Sequence, residues 1–239
     1  MVVKKLGIIL SLAALATGCA NTDTKLYQGL GKNSMFRVGP GKDSKGEQVY
    51  SLNYTTAAVV FDEHGKIVDV SVDALEVSTP NYDGETMPHF SGWPGTQGVN
   101  VTNHNSGEVV GISDNSLENI KNEVNNWKTK RERGDSYGMS EKNDWHKQMS
   151  NFNKFFIGKT VMEIEDIFAR TFSEVNGRPL KANSRNEKDK AKYESLSQED
   201  KKMLTDLTAG ATMSIKDPHG DIIDAIKDAY KNRNEFLVK

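Results

Sequence analysis

The 239-residue sequence contains one cysteine, Cys19. A lone thiol excludes an intramolecular disulfide, a cysteine-ligated iron–sulfur cluster and a thioether-bound haem. Redox chemistry on this chain therefore needs a cofactor that does not use cysteine, and packing has to hold the fold without cross-links. A dominant charge is also missing. The 31 basic and 33 acidic residues leave a net charge of −2, which argues against a nucleic-acid partner. Beyond Cys19 no apolar run reaches membrane-spanning length. The five histidines (His64, His89, His104, His146, His219) form no i, i+4 pair and no His-x-His, so they read as surface or turn residues rather than metal ligands. There is no Gly-x-Ser-x-Gly elbow, no phosphate loop ending in Gly-Lys-Thr, and no internal repeat. With 36% hydrophobic and 27% charged residues, the composition is polar but that of a folded chain.

What is present begins at the N-terminus. Lys4 and Lys5 precede an apolar stretch from Leu6 to Leu15, too short to span a bilayer as a mature helix. Ala16-Thr17-Gly18-Cys19 follows. This segment resembles the bacterial lipobox, although leucine is commoner where Ala16 stands. The resemblance implies cleavage after residue 18, lipid attachment at Cys19 and a protein held by membrane lipid on the extracytoplasmic face of the cell membrane. The expected organisation is a signal peptide over 1–18, a tether over 19–26 and one domain over 27–239.

Tyr27 to Gly46 is rich in glycine, including Gly-Leu-Gly and Gly-Pro-Gly, and reads as turns between short strands. Tyr54 to Phe61 is a β-rich run, Asp62-Glu63-His64-Gly65 supplies turn residues, and Lys66 to Ala74 alternates apolar and polar residues. Together they predict a hairpin with one buried face. Ser78 to Gly111 is loop-rich. Its Phe90 and Trp93, set among glycines, either line a cofactor pocket or pin the loop to the core, and pinning is the commoner use. Helices are predicted over Ser116 to Lys130, capped by Asn115 or Ser116, and over Trp145 to Phe156, ended by Gly158. A further helix starts at Thr160, with Glu163 completing a capping box. Arg131 to Tyr137 reads as a charged connection and Pro179 to Lys192 as a solvated excursion. A short helix from Ser197 to Leu204 is followed by a small-residue strand or loop over Asp206 to Ser214. Pro218 opens the last helix, with a stripe of Ile222, Ile223, Ile226, Ala229 and Tyr230.

The segment Asp206-Leu207-Thr208-Ala209-Gly210-Ala211-Thr212 carries the chemistry. Gly210 and Ala211 occupy almost no side-chain volume, so a bulky group can approach the Thr212 hydroxyl. That hydroxyl can form a phosphoester, and because it is a poor nucleophile the linkage needs an enzyme. The segment resembles the flavinylation motif Asp-x-x-(Ser/Thr)-Gly-Ala-Thr of FMN-binding domains, with Ala209 where Ser or Thr is usual. Such domains occur in the C subunit of the sodium-pumping NADH:quinone reductase, the G subunit of Rnf complexes and flavinylated lipoproteins of extracellular electron transfer. Tyr54 to Ala74, Lys128 to Met139 and Asp144 to Thr160 are similar to segments of clostridial-type FMN-binding lipoproteins.

The resemblance implies that Thr212 bears covalent FMN, with Asp206, Gly210 and Ala211 read by a flavin transferase that uses FAD and Mg²⁺. Tyr137 and Met139, in the Gly-Asp-Ser-Tyr-Gly-Met block, are candidates to touch the isoalloxazine, or else core residues. It also implies an α+β fold, a twisted and mainly antiparallel sheet packed by helices, and an electron carrier that takes electrons from a membrane donor. The rival readings are a cofactor-free, lipid-anchored ligand-binding module using the Phe90 to Trp93 loop, and a structural lipoprotein of the envelope.

Overall fold

The computed structural model describes residues 25–83, 86–139 and 144–237. The predicted signal segment, Cys19 and all but the end of the tether lie outside them. The architecture is α+β: a four-stranded antiparallel sheet packed against helices. Strand β1 spans Lys25–Lys42, β2 Gln48–Asp62 and β3 Ile67–Ser78. A short helix α1 (Pro80–Asp83) and a small hairpin of β4 (Asn100–Thr102) and β5 (Val109–Ile112) follow. Next come α2 (Leu117–Asn126), α3 (Lys130–Arg133), a 3₁₀ turn over Gly134–Tyr137, α4 (Trp145–Phe156), α5 (Val161–Thr171), α6 (Glu187–Glu194) and α7 (Gln198–Thr208). The chain closes with a two-residue ladder of β6 (Lys216–Asp217) and β7 (Gly220–Asp221), then α8 (Ile222–Lys231) and β8 (Asn234–Leu237). The sheet order is β3-β2-β1-β8.

The hairpin of β2 and β3 forms as its sequence predicts. Asp62 Oδ1 accepts the amides of His64 and Lys66 at 2.9 and 2.8 Å, and Gly65 takes the left-handed conformation (φ +75°) that closes the turn. The glycine-rich stretch before it does not break into short strands. It is one strand, β1, because its glycines serve packing rather than turning. A Cβ on Gly29 would lie 2.0 Å from the Ala229 carbonyl oxygen, and one on Gly31 2.0 Å from that of Ala225. The main chain of α8 rests directly on β1, and the small residues on both sides are what allow it.

Period-2 alternation gives the sheet two unlike faces. The inner face carries Ala57, Val59 and Phe61 of β2 with Val70 and Val72 of β3, all buried. Onto it pack Met149, Phe152 and Phe156 of α4, Ile164 of α5, and Ile222, Ile223, Ala225, Ile226 and Ala229 of α8. Phe152 stacks on Phe156 with centroids 6.2 Å apart. Fully burying each large apolar side chain contributes roughly 1.5–3 kcal/mol. The outer face presents Phe36, Tyr50, Leu52 and Tyr54, all exposed.

The helix starts follow their caps. Ser116 Oγ accepts the Asn119 amide, Thr160 and Glu163 form the reciprocal capping box, and Ser197 Oγ accepts the Asp200 amide. Several segments differ from expectation. α7 runs on to Thr208, so Asp206 is helical rather than in a strand or loop. Pro218 lies between β6 and β7, and Asp221 caps α8 through the Asp224 amide at 2.9 Å. α4 spans Trp145–Phe156 as expected, with Gly158 left-handed (φ +79°) just past its end, although the Gly158 amide donates to the Ile67 carbonyl at 2.8 Å rather than back to the helix. The Pro179 to Lys192 stretch is not a solvated excursion: Leu180 and Asp189 are buried, α6 begins inside it, and Lys192 Nζ donates to the Phe172 carbonyl at 2.9 Å. The Arg131 to Tyr137 connection is itself helical, as α3 and the 3₁₀ turn.

Candidate functional site

Thr212 lies in the segment between α7 and β6, and two amides on one face of α4 fix that segment. Gln148 Oε1 accepts the backbone amides of Thr212 and Met213 at 2.7 and 2.8 Å, and lies 3.5 Å from Thr212 Oγ1. One turn on, Asn151 Nδ2 donates to the Gly210 carbonyl at 3.0 Å. A Cβ on Gly210 would meet the Asn151 side chain at 2.7 Å. Ala211 is fully buried, so neither residue tolerates more volume. Thr212 itself is half-buried, and among the described residues its hydroxyl is held by the long Gln148 contact alone.

The sequence-predicted residues lie on two sides of this segment. Asp206 is exposed on α7 and lines a groove of about 560 Å³ with Asn151, Lys154, Lys159 and Lys202. Burial pulls the Lys159 ammonium below its ordinary pKa, against the opposing charge of Glu163. Tyr137 and Met139 lie on the other side. With Met213 and Ser214 they line a cavity of about 140 Å³ floored by Thr55 and Ala74 of the sheet. Gln148 joins the two sides, because its Nε2 approaches Met139 Sδ at 3.3 Å.

Polar groups gather behind that cavity. Lys130, at the start of α3, lines it and is 5% exposed. Its Nζ is 3.2 Å from Glu76 Oε2, and Arg37 Nη1 is 3.6 Å from the other Glu76 oxygen. The Tyr137 ring centroid is 5.3 Å from Lys130 Nζ and 4.9 Å from Arg133 Cζ. Burial pulls the Lys130 ammonium down, but the Tyr137 hydroxyl and Glu76 carboxylate beside it outweigh burial and hold its pKa above the ordinary value. In the β6–β7 turn, Asp217 Oδ1 accepts the amide of His219 at 2.8 Å and lies 3.1 Å from its Nδ1. Burial pushes the Asp217 carboxyl up. The hydrogen bonds from His219, with the His219 and Lys130 charges, prevail and hold it below the usual carboxylate range. Across the β2–β3 ladder from Glu76, buried Asn53 has an Oδ1 with no partner among the described residues.

The chain is 35% identical over 219 residues to a chlorophenol reductase of Desulfitobacterium hafniense. The alignment takes in 88% of this chain and 59% of that protein, so the chain spans under two thirds of its relative's length. No protein-family model matches the sequence, and no solved structure matches it. Among the described residues no helix is long and apolar enough to cross a membrane, and no three His, Cys, Asp or Glu side chains gather as a metal site.

The implied flavin can be tested against these residues. The residue type fits: a hydroxyl on a half-buried threonine, in a segment held by Gln148 and Asn151, suits phosphoester formation. The cavity, at 140 Å³, is well below the roughly 300–1,000 Å³ that encloses a ligand. The cavity therefore does not enclose a flavin ring, and Thr212 is not among the residues that line it.

Gln148, Asn151 and Lys130 are absent from the residues the sequence singles out. The first two had a readable signal, since they sit three apart and interrupt the apolar stripe of Trp145, Met149, Phe152 and Phe156 on α4. Lys130 had none, because a lysine within Lys-Thr-Lys-Arg-Glu-Arg looks like a solvated surface. Phe90 and Trp93 do not pin the loop to the core. They meet edge to face at 5.2 Å, with Trp93 71% exposed. With Phe36, Tyr50, Leu52 and Tyr54 of the outer sheet face and Trp127, they line an apolar cleft of about 600 Å³.

Proposed function

We propose that this chain is a redox carrier of the FMN-binding domain family, with FMN joined through its phosphate to Thr212 Oγ1. The observation that carries this reading is the fixed Gly210-Ala211-Thr212 segment, whose last hydroxyl is reachable and precedes two residues of a polar-backed cavity. A relative named a reductase supports a redox role. In the attachment reaction, Thr212 Oγ1 bonds to the flavin-side phosphorus of FAD. The pyrophosphate link breaks, AMP leaves, and the hydroxyl proton passes to a base of the transferase, with Mg²⁺ offsetting phosphate charge.

Cys19 would anchor the protein to membrane lipid outside the cytoplasm, where a covalent cofactor cannot be lost to the medium. Tethering would keep it near a membrane electron donor by raising the local concentration. The test is the intact mass of the protein co-expressed with a flavin transferase. We expect a gain of one FMN less water that disappears in Thr212→Ala. An unmodified wild-type chain would sink the reading.

One observation favours a second reading, a ligand-binding module. The cleft between Trp93 and the outer sheet face has the volume and apolar lining of a small-molecule site. The chlorophenol in the relative's name suggests an apolar aromatic ligand. Here the protein would be colourless, and a chlorinated phenol would raise its Tm and change its tryptophan fluorescence. No response to such ligands would remove this alternative.

A further inference from the structure

A polar pocket of about 600 Å³ opens between α2, the segment from Thr86 to His89, and the start of the 3₁₀ turn. None of its lining residues borders the groove or the cavity beside Thr212, so it stands apart from the reading given above. Its volume is that of a small-molecule site. Polar and apolar groups share its wall about equally, unlike the apolar cleft on the other side of Trp127.

The charges in this pocket are unevenly matched. Glu123 is the one acid in the lining, and the protein already satisfies its carboxylate. Oε2 accepts the Ser91 amide at 3.0 Å, while Oε1 accepts the Ser91 hydroxyl, accepts Asn119 Nδ2 at 2.8 Å and lies 3.3 Å from His89 Nε2. The two cations have no such partners. Lys128 is exposed, and among the described residues neither it nor Arg133 meets a carboxylate. Arg133 Nη1 is 2.9 Å from the Met87 sulfur, and Arg133 Cζ is 4.9 Å from the Tyr137 ring centroid. A thioether is a weak acceptor, so most donors of the guanidinium fork remain available.

The amides are placed to serve a ligand as well. Asn119, Asn122 and Asn126 recur at i, i+3 and i+7 on one face of α2, and all three line the pocket. Asparagine is a poor helix former, yet α2 carries four in ten residues. Asn126 Nδ2 donates to the Asn122 carbonyl at 2.8 Å, which leaves Asn126 Oδ1 and the Asn122 side chain without protein partners among the described residues. A side-chain amide offers a donor and an acceptor side by side, which suits adjacent hydroxyls. Trp127 Nε1 donates to the His89 carbonyl at 2.9 Å, so the indole is fixed in the wall as an apolar platform.

We propose that this pocket binds an acidic sugar, a hydroxyl-rich ring that bears a carboxylate. The Arg133 fork takes the carboxylate, and Lys128 adds positive field. Asn122 and Asn126 take hydroxyls, and the C–H face of the ring rests on Trp127. A neutral sugar leaves the cations unused, and a simple anion leaves the amides and the indole unused. The lining therefore selects a ligand that carries both features.

The experiment is calorimetric titration of the full chain in detergent with glucuronate, galacturonate and N-acetylmuramate, with glucose and acetate as controls. One of the acids is expected to bind tighter than either control by about tenfold or more, the worth of a charge-assisted hydrogen bond. Its affinity should fall as salt rises. Arg133→Gln and Asn122→Asp should each weaken that acid by about tenfold. If Arg133→Gln does not fold, Asn122→Asp and Lys128→Gln, both at exposed positions, carry the test. Thr212→Ala should bind as wild type does, so this proposal and the flavin assignment fail separately. Acetate binding as tightly as the acids would leave a plain anion site and overturn the proposal. Glucose binding as tightly, or no binding by any of the acids, would overturn it too.

Discussion

Gln148 holds Thr212 mainly by the backbone: its Oε1 accepts the Thr212 amide at 2.7 Å and the next amide at 2.8 Å, while the Thr212 hydroxyl lies 3.5 Å away. One carbonyl oxygen thus fixes the direction of the chain at the residue proposed to carry the cofactor, and leaves the Thr212 hydroxyl available.

Replacing that oxygen should be costly. Gln148→Leu removes the acceptor for two amides, one of them buried, and each unmet donor costs about 1–3 kcal/mol. We expect a loss of about 2–6 kcal/mol by the same reckoning, read as a lower urea midpoint with an unchanged m-value. Wild-type stability in this variant would show that the segment does not depend on α4.

The contact of β1 with α8 makes a second prediction. Gly31→Ala places a Cβ 2.0 Å from the Ala225 carbonyl oxygen and 2.1 Å from the Ala229 amide, so the helix has to move. Overpacking of this kind costs about 1–3 kcal/mol and sometimes more. The control is Gly111→Ala, where nothing lies within 4 Å of the new methyl. It should stay within about 0.5 kcal/mol of wild type. Equal melting temperatures for the two variants would refute the close approach.

Asp217 makes stability depend on pH in a defined direction. Its carboxyl is held below the ordinary value of 3.8, so the folded state favours the charged form. The resulting stabilisation is present above the unfolded pKa and is lost as pH falls through the lower folded one. In Asp217→Asn the gap to wild type should be full at neutral pH and shrink below about pH 4. Urea midpoints measured from pH 7 down to pH 3 decide this. A gap that is constant with pH would mean that the carboxylate has no preferred charge state in the fold.

The start of α5 offers a smaller test. Thr160 Oγ1 accepts the Glu163 amide at 3.2 Å, and Glu163 Oε2 accepts the Thr160 amide at 2.7 Å. Thr160→Ala breaks half of this reciprocal pair and should cost about 1 kcal/mol. Double-mutant coupling with Glu163→Ala should be non-additive, since each side chain serves the same turn.

Local chemistry was legible in the sequence, and long-range neighbours were not. The hairpin around Asp62 to Lys66 and the caps at Ser116, Thr160 and Ser197 announce themselves, because the residues that make them lie within four positions of each other. Gly29 and Gly31 misled because a glycine that admits a helix and a glycine that makes a turn look alike until the helix, some two hundred residues later, is in place. Tyr137 and Met139 stand out in the sequence, and the structure adds Met213 to the cavity they line. Asp206 faces a different groove, on the far side of Asn151. The Lys130–Glu76 pair was hidden because nothing in the local sequence marks that lysine as buried, and burial is a property of the whole fold.

The pairing of Lys25 with Leu237 across β1 and β8 has one more consequence. Register partners in an antiparallel ladder sit only about 5 Å apart, so both extremities of the described chain leave the molecule from the same spot. Labels placed at positions 25 and 237 would therefore report on one and the same end of the sheet.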